Sequence, residues 1–208
     1  SKNDYTDDFS CRGRWVNYLA GGSTAYPEGP GLNIPVNMSV AFHSDAGCHP
    51  TDKLVGTFMF YTIKDDDKET TYPSGGDRIC NRDFADFIQT QIVEDIRQTM
   101  MPTWQKRHLM HQSMSETRNP KVPSTIIELL SHHNYYDMTF GLDPKFKFIA
   151  SRAIYKGMLR FIHQTTGTPY VVQPLPVQQM NISYANNDSL HITWAERVDR
   201  LEPTATPT

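Results

Sequence analysis

The hydrophobic positions change period several times along the chain, and each change marks an element. Asp7 to Leu19 places apolar residues at helical spacing, and the Gly21-Gly22 pair stops that helix before a Pro/Gly-rich loop through Pro35. Val36 to His43 then alternates, with Val36, Met38, Val40 and Phe42 on one side, as a strand does. A loop from Ser44 to Leu54 leads to a second, aromatic-rich strand at Val55 to Ile63. Beyond a polar connection, Asn81 is placed to cap a helix whose inner face is Phe84, Phe87, Ile88, Ile92 and Ile96, ending before Pro102.

Val122 to Leu130 is a nearly unbroken apolar run, the mark of a central strand covered on both faces, and Glu128 is its one charge. Asp143-Pro144 opens a further helix, cap followed by proline, which runs to about His163 with Phe146, Ile149, Ala153, Gly157, Met158 and Phe161 inward. Strands alternating with helices of this length predict an α/β fold, a mixed sheet flanked by helices, followed by a short β segment. Pro169, Pro174 and Pro176 make a linker over residues 167–176. Val177 to Tyr184 and Ser189 to Trp194 then alternate about a turn at Asn186-Asn187-Asp188.

Composition adds little and excludes some classes. The 208 residues are 38% hydrophobic and 21% charged, an ordinary globular balance. Twenty Lys and Arg against 23 acids, with no basic helix or arm, give no footprint for nucleic acid. No apolar stretch approaches the roughly 20 residues of a membrane span, and Ser1-Lys2-Asn3-Asp4 does not open a signal peptide. We therefore expect a chain without a membrane span, from which any export signal has been removed. Cys11, Cys48 and Cys80 are an odd number without metal-knot spacing; Cys48 lies near His43 but is expected to pack as a small apolar residue.

Two residues stand out chemically. His43 ends a predicted core strand, where open α/β sheets gather ligands and catalytic groups. Glu128 puts a carboxylate inside a buried strand, which costs several kcal/mol unless a metal, a proton or a cation such as Arg107, Arg118 or Arg152 compensates it.

The segment A-F-H-S-D-A-G followed by G-T-F-M-F-Y resembles the S-I-H-x-N-A and G-x-x-x-Y-Y pattern of the zinc-dependent N-acetylmuramoyl-L-alanine amidases (amidase type 3), and P-S-T-I-I-E-L-L-S-H-H-N resembles their P-A-V-L-V-E-x-G-F-x-S-N. Arg12 or Arg14 with Asn17 is similar to the R-x-x-x-A-N helix preceding the histidine strand, and the helix from Asp143 is similar to the last helix of that domain. The resemblance implies that residues 1–166 are the later part of such a domain. In that reading His43 is one zinc ligand, Glu128 is the catalytic acid/base, and peptidoglycan or another cell-wall glycan is the partner. Asp45, Arg118, His132, His133, Asn134 and Tyr135 become candidates for substrate contact or for supporting the site, with Tyr135 and the Ser44–Leu54 loop expected to line one cleft.

The family's other zinc ligands, a histidine in a G-H-G turn and a glutamate, lie upstream of the histidine strand, and residues 1–35 contain no histidine. Zinc is thus expected with ligands missing from this chain. The nearest resemblance is to secreted Bacteroidetes proteins labelled xanthan lyase, with a golvesin-like insert and a fibronectin type III-like tail, to which residues 177–208 correspond in part. It implies a secreted, periplasmic or cell-surface location. A polysaccharide lyase using Arg118, Asn134, Tyr135 and His133, and a non-catalytic glycan-binding module with a degenerate site, are the rival readings.

Overall fold

The computed structural model describes residues 3–47, 51, 53–186, 188–203 and 205. Ser1, Lys2, Cys48 and Asn187, named above, lie outside the described residues. The chain divides into two compact units, Ser1–Phe161 and Ile162–Thr208.

The first unit is built on a four-stranded mixed sheet. Its strands are β1 (Ser39–Asp45), β2 (Thr57–Tyr61), β3 (Lys106–His111) and β4 (Ser124–Ser131), in the order β1-β4-β2-β3. β1 runs parallel to β4, β2 antiparallel to β4, and β3 parallel to β2. The helices are α1 (Asp4–Ala20), α2 (Cys80–Thr99), α3 (Ser115–Arg118), α4 (Tyr135–Gly141) and α5 (Pro144–Thr166). The α/β class with helices flanking a mixed sheet agrees with the sequence.

Burial follows the apolar pattern. Phe84, Ile88, Ile92 and Ile96 of α2 and Phe146, Ile149, Ala150, Ala153 and Phe161 of α5 form one core with Met59, Ile127 and Leu129 of the sheet. Phe84 stacks on Phe161 at 4.5 Å between ring centroids. The two helices approach closely because Gly157 has no side chain: a Cβ there would sit 2.7 Å from Ile88 Cα. Trp104 is fully buried and donates its indole N–H to Thr57 Oγ1 at 2.9 Å, so its polar end is satisfied inside the core.

Several local expectations shift. Asn81 does not cap α2, whose N-cap is Ile79 without a side-chain bond. The buried Asn81 amide instead ties three segments together: it donates to the Thr62 carbonyl and accepts from the Tyr72 hydroxyl and the Ser124 N–H. β3 and α4 were not expected at all. α4 is capped by Asn134, whose side chain accepts from the Asp137 N–H. Asp143 does cap α5, accepting from the Lys145 N–H at 2.7 Å, and the helix continues to Thr166.

In the second unit, β5 (Gln178–Asn186) and β6 (Ser189–Ala195) pair antiparallel. Ile182 opposes Ile192 and Tyr184 opposes Leu190, while Asn181 opposes Thr193 and Ser183 opposes His191. One face of this ribbon is therefore apolar and the other polar, and Trp194 is 53% exposed.

Candidate functional site

The pairing register brings His43 and Glu128 side by side. They are partners on the parallel strands β1 and β4, and Phe58 on β2 is the antiparallel partner of the same Glu128. Register partners project to one face, so His43, Glu128 and Phe58 form a row across three strands. Ile127 and Leu129, one step either way, point into the α2–α5 core, which leaves Glu128 on the face beside α1 and α3.

Over this row lie two ion pairs. Arg107 of β3 binds Asp45 at 2.6 Å and places its guanidinium 4.4 Å over the Phe58 ring. Arg118 binds Asp66 and the Ser113 hydroxyl and carbonyl. Two of the arginines offered as counterions to Glu128 are thus engaged by other carboxylates, and the buried Glu128 Oε2 has no hydrogen-bond partner among the described residues. Burial pushes the Glu128 carboxyl above its usual range, and the negative charges of Asp45 and Glu116 act the same way, against the opposing pull of His43 and Arg107.

The second pair involves a residue that sequence reasoning missed. Glu116 of α3 places its two carboxylate oxygens 3.0 and 3.2 Å from His43 Nε2 and accepts a further bond from Arg12 Nη1 at 3.1 Å. The Glu116 hydrogen bond raises the His43 pKa despite partial desolvation. Glu116 stays below the usual carboxylate range: burial works against this, and the hydrogen bonds from His43 and Arg12 outweigh it. Nothing in S-E-T-R at positions 115–118 marks Glu116, because its partner is 73 residues away in sequence.

The remaining candidates scatter. His132 Nδ1 lies 2.9 Å from the Ser44 hydroxyl, and the His132 and His133 rings meet edge to face. Asn134 is buried and, besides capping α4, donates to the Thr51 and Lys53 carbonyls, which makes it a scaffold residue for the loop before β2. Tyr135, expected to line one cleft with the Ser44–Leu54 loop, is instead 87% exposed, and it is Tyr136 that lines an open cleft with Lys53, Leu54 and Val55. Cys80 is half-buried, and burial pushes its thiol up to about 11, so it is not an activated nucleophile. A cleft of about 400 Å³, lined by Tyr5, Phe9, Arg12, Met114 and Arg118, opens onto His43 and Glu116.

A structural zinc or catalytic zinc needs at least three protein ligands. Among the described residues no group of three His, Cys, Asp or Glu is arranged to hold a metal ion. His43 Nε2, the nitrogen facing the site, is already bonded to Glu116. The residues present therefore do not fit a zinc centre by themselves.

No family model matches the chain, and no curated protein matches it. Solved structures do. An N-acetylmuramoyl-L-alanine amidase from Clostridium difficile 630 superposes with a TM-score of 0.54 at 14% identity, over 76% of this chain and 66% of that one. The CwlD amidase from Clostridioides difficile, solved in complex with the GerS lipoprotein, gives 0.52 at 18% identity, over 77% and 64%. The first unit has the fold of the N-acetylmuramoyl-L-alanine amidases. The chain spans slightly less than two thirds of the length of these two structures. Among the described residues no helix is long and apolar enough to cross a membrane.

Proposed function

We propose that this chain carries the acid/base half of a hydrolase acting on peptidoglycan amide bonds, of the N-acetylmuramoyl-L-alanine amidase type. The observation that carries the reading is the register of His43 and Glu128 on adjacent parallel strands, with Glu128 a half-buried carboxylate whose inner oxygen has no hydrogen-bond partner among the described residues. Such a carboxylate, its pKa raised by burial, suits general acid/base work. Glu128 takes the proton of the attacking water and returns it to the leaving amine. In this reading the enzyme is zinc-dependent and His43 is one ligand, the others coming from outside these 208 residues. The chain alone is then inactive. A secreted or cell-surface location follows from the substrate, and the two-faced β5–β6 ribbon is read as the opening pair of a fibronectin type III-like sheet.

The test is to add zinc, with and without chelator, to the intact protein purified from its source and to the 208-residue chain, and to follow stem-peptide release from peptidoglycan. Chelator-sensitive release by the intact protein alone is expected. An unsaturated uronate absorbing in the ultraviolet would replace the amidase reading by a lyase. The Glu116–His43 bond favours one rival, a glycan-binding module without turnover, and glycan binding with no product from either protein would establish it.

A further inference from the structure

The row that holds His43, Glu128 and Phe58 does not stop at β2. Between β2 and β3 the register shifts: Thr57 faces Lys106 and Met59 faces Leu109, so Arg107 and His108 together oppose the single residue Phe58. A bulge sets two residues against one and re-aims their side chains. Here it brings both to the Phe58 ring, the Arg107 guanidinium 4.4 Å over it and the His108 ring edge-on at 5.1 Å. The row therefore crosses all four strands and ends in two basic side chains. They stand two strand spacings, roughly 10 Å, from the strand of Glu128.

Arg107 and His108 also line an open cleft of about 970 Å³, together with Lys53, Leu54, Met101 and Tyr136. The cleft lies where β2 and β3 begin and the parallel pair β1 and β4 ends, the pole at which α/β sheets gather ligands. The described residues lining it include four basic side chains, Lys53, Lys106, Arg107 and His108, and no acid, in a chain whose net charge is -3. Lys106 is already held by Asp86 and Thr90. Arg107 gives Nη1 to Asp45, which leaves the rest of a fork of five N–H donors. Lys53 is exposed. A guanidinium fork, an ammonium and an imidazole sharing one cleft, beside the apolar surface of Leu54, Met101 and Tyr136, suit an oxyanion carried on a partly apolar ligand.

We propose that Lys53, Arg107 and His108 form an oxyanion subsite, which takes the carboxylate or phosphate group of a ligand whose remainder runs along the row towards Glu128. The subsite stands on the bulge in β3 and on the charge of the cleft. Its use as a specificity element, choosing substrates with an anionic group roughly 10 Å from the bond to be cut, rests on the hydrolase reading.

The test is an NMR titration of the 208-residue chain with glutarate, with inorganic phosphate and with neutral glutaramide. The amide signals of Lys106, Arg107 and His108 should move saturably with at least one of the two anions and stay in place with glutaramide. Tighter binding of glutarate assigns the subsite to a carboxylate, and tighter binding of phosphate assigns it to a phosphorylated ligand. Arg107→Gln should raise the Kd about tenfold, the loss expected when a charged hydrogen-bond donor is removed. Because Arg107 also packs on Phe58, the exposed Lys53→Gln is the variant that separates charge from folding, and it should raise the Kd about threefold at an unchanged melting temperature. Signals unmoved by both anions, or a Kd unaltered in both variants, would overturn the proposal. The readout is binding and not turnover, so failure of the hydrolase reading leaves the result standing, and failure here leaves that reading intact.

Discussion

His43 and Glu116 lie on different elements, the edge strand and a one-turn helix, and meet with Nε2 3.0 Å from one carboxylate oxygen and 3.2 Å from the other. The bond holds the imidazolium, so His43 should titrate above its ordinary value of 6.5. In Glu116→Ala the midpoint, followed by NMR of the ring protons, should fall back towards 6.5. The raised folded value also means that the pair stabilises the fold at acidic pH and that this contribution fades as pH rises through the His43 midpoint. An unchanged midpoint in Glu116→Ala would show that the bond is not formed in solution.

Glu128 places in the sheet a carboxylate oxygen that has no hydrogen-bond partner among the described residues. Groups arranged for chemistry commonly cost stability. Glu128→Gln removes the charge and keeps the size, so it should leave the fold at least as stable, with a gain of about 1 kcal/mol in urea unfolding. A loss of similar size would mean that a compensating cation reaches this side chain.

Asp65 is the acid of a structural cluster. It is buried, binds Lys121 at 2.8 Å, lies 3.6 Å from the fully buried Arg78, and accepts the N–H groups of Asp67 and Glu69. Burial alone would raise its pKa, but these bonds and charges outweigh it and hold the carboxyl below 3.8. Asp65→Asn should cost about 3 kcal/mol near neutral pH, because it leaves Arg78 buried beside no counter-charge. Since the folded value is depressed, the wild-type advantage should persist above about pH 5 and shrink as pH falls through 4 and below. A difference independent of pH would refute this account.

Gly157 lets α5 lie against α2. Gly157→Ala should destabilise by about 1–3 kcal/mol, since the new methyl meets backbone rather than a movable side chain. An unaltered unfolding midpoint would show that the helices pack less closely.

The parts of the fold legible in the sequence were those written in one segment's own periodicity. Ile88, Ile92 and Ile96 mark the α2 face, and the T-I-I-E-L-L run marks both β4 and the anomaly of Glu128. β3 was not legible because Lys106–His111 mixes a lysine, an arginine and two histidines with two apolar residues at an edge position that needs little burial. Asn81 looked like a cap because its role depends on Thr62, Tyr72 and Ser124, which only the folded chain assembles. Glu116 was invisible for the same reason: its meaning comes from Arg12 and His43, more than 70 residues upstream.

The central claim, that Glu128 is the acid/base of a peptidoglycan amide hydrolase, is tested most directly in the intact source protein by comparing wild type with Glu128→Gln for stem-peptide release from peptidoglycan. The account predicts release by the wild type and a fall of about 100-fold or more in the variant, in the range that removal of a general acid/base produces. Undiminished release by Glu128→Gln would contradict it.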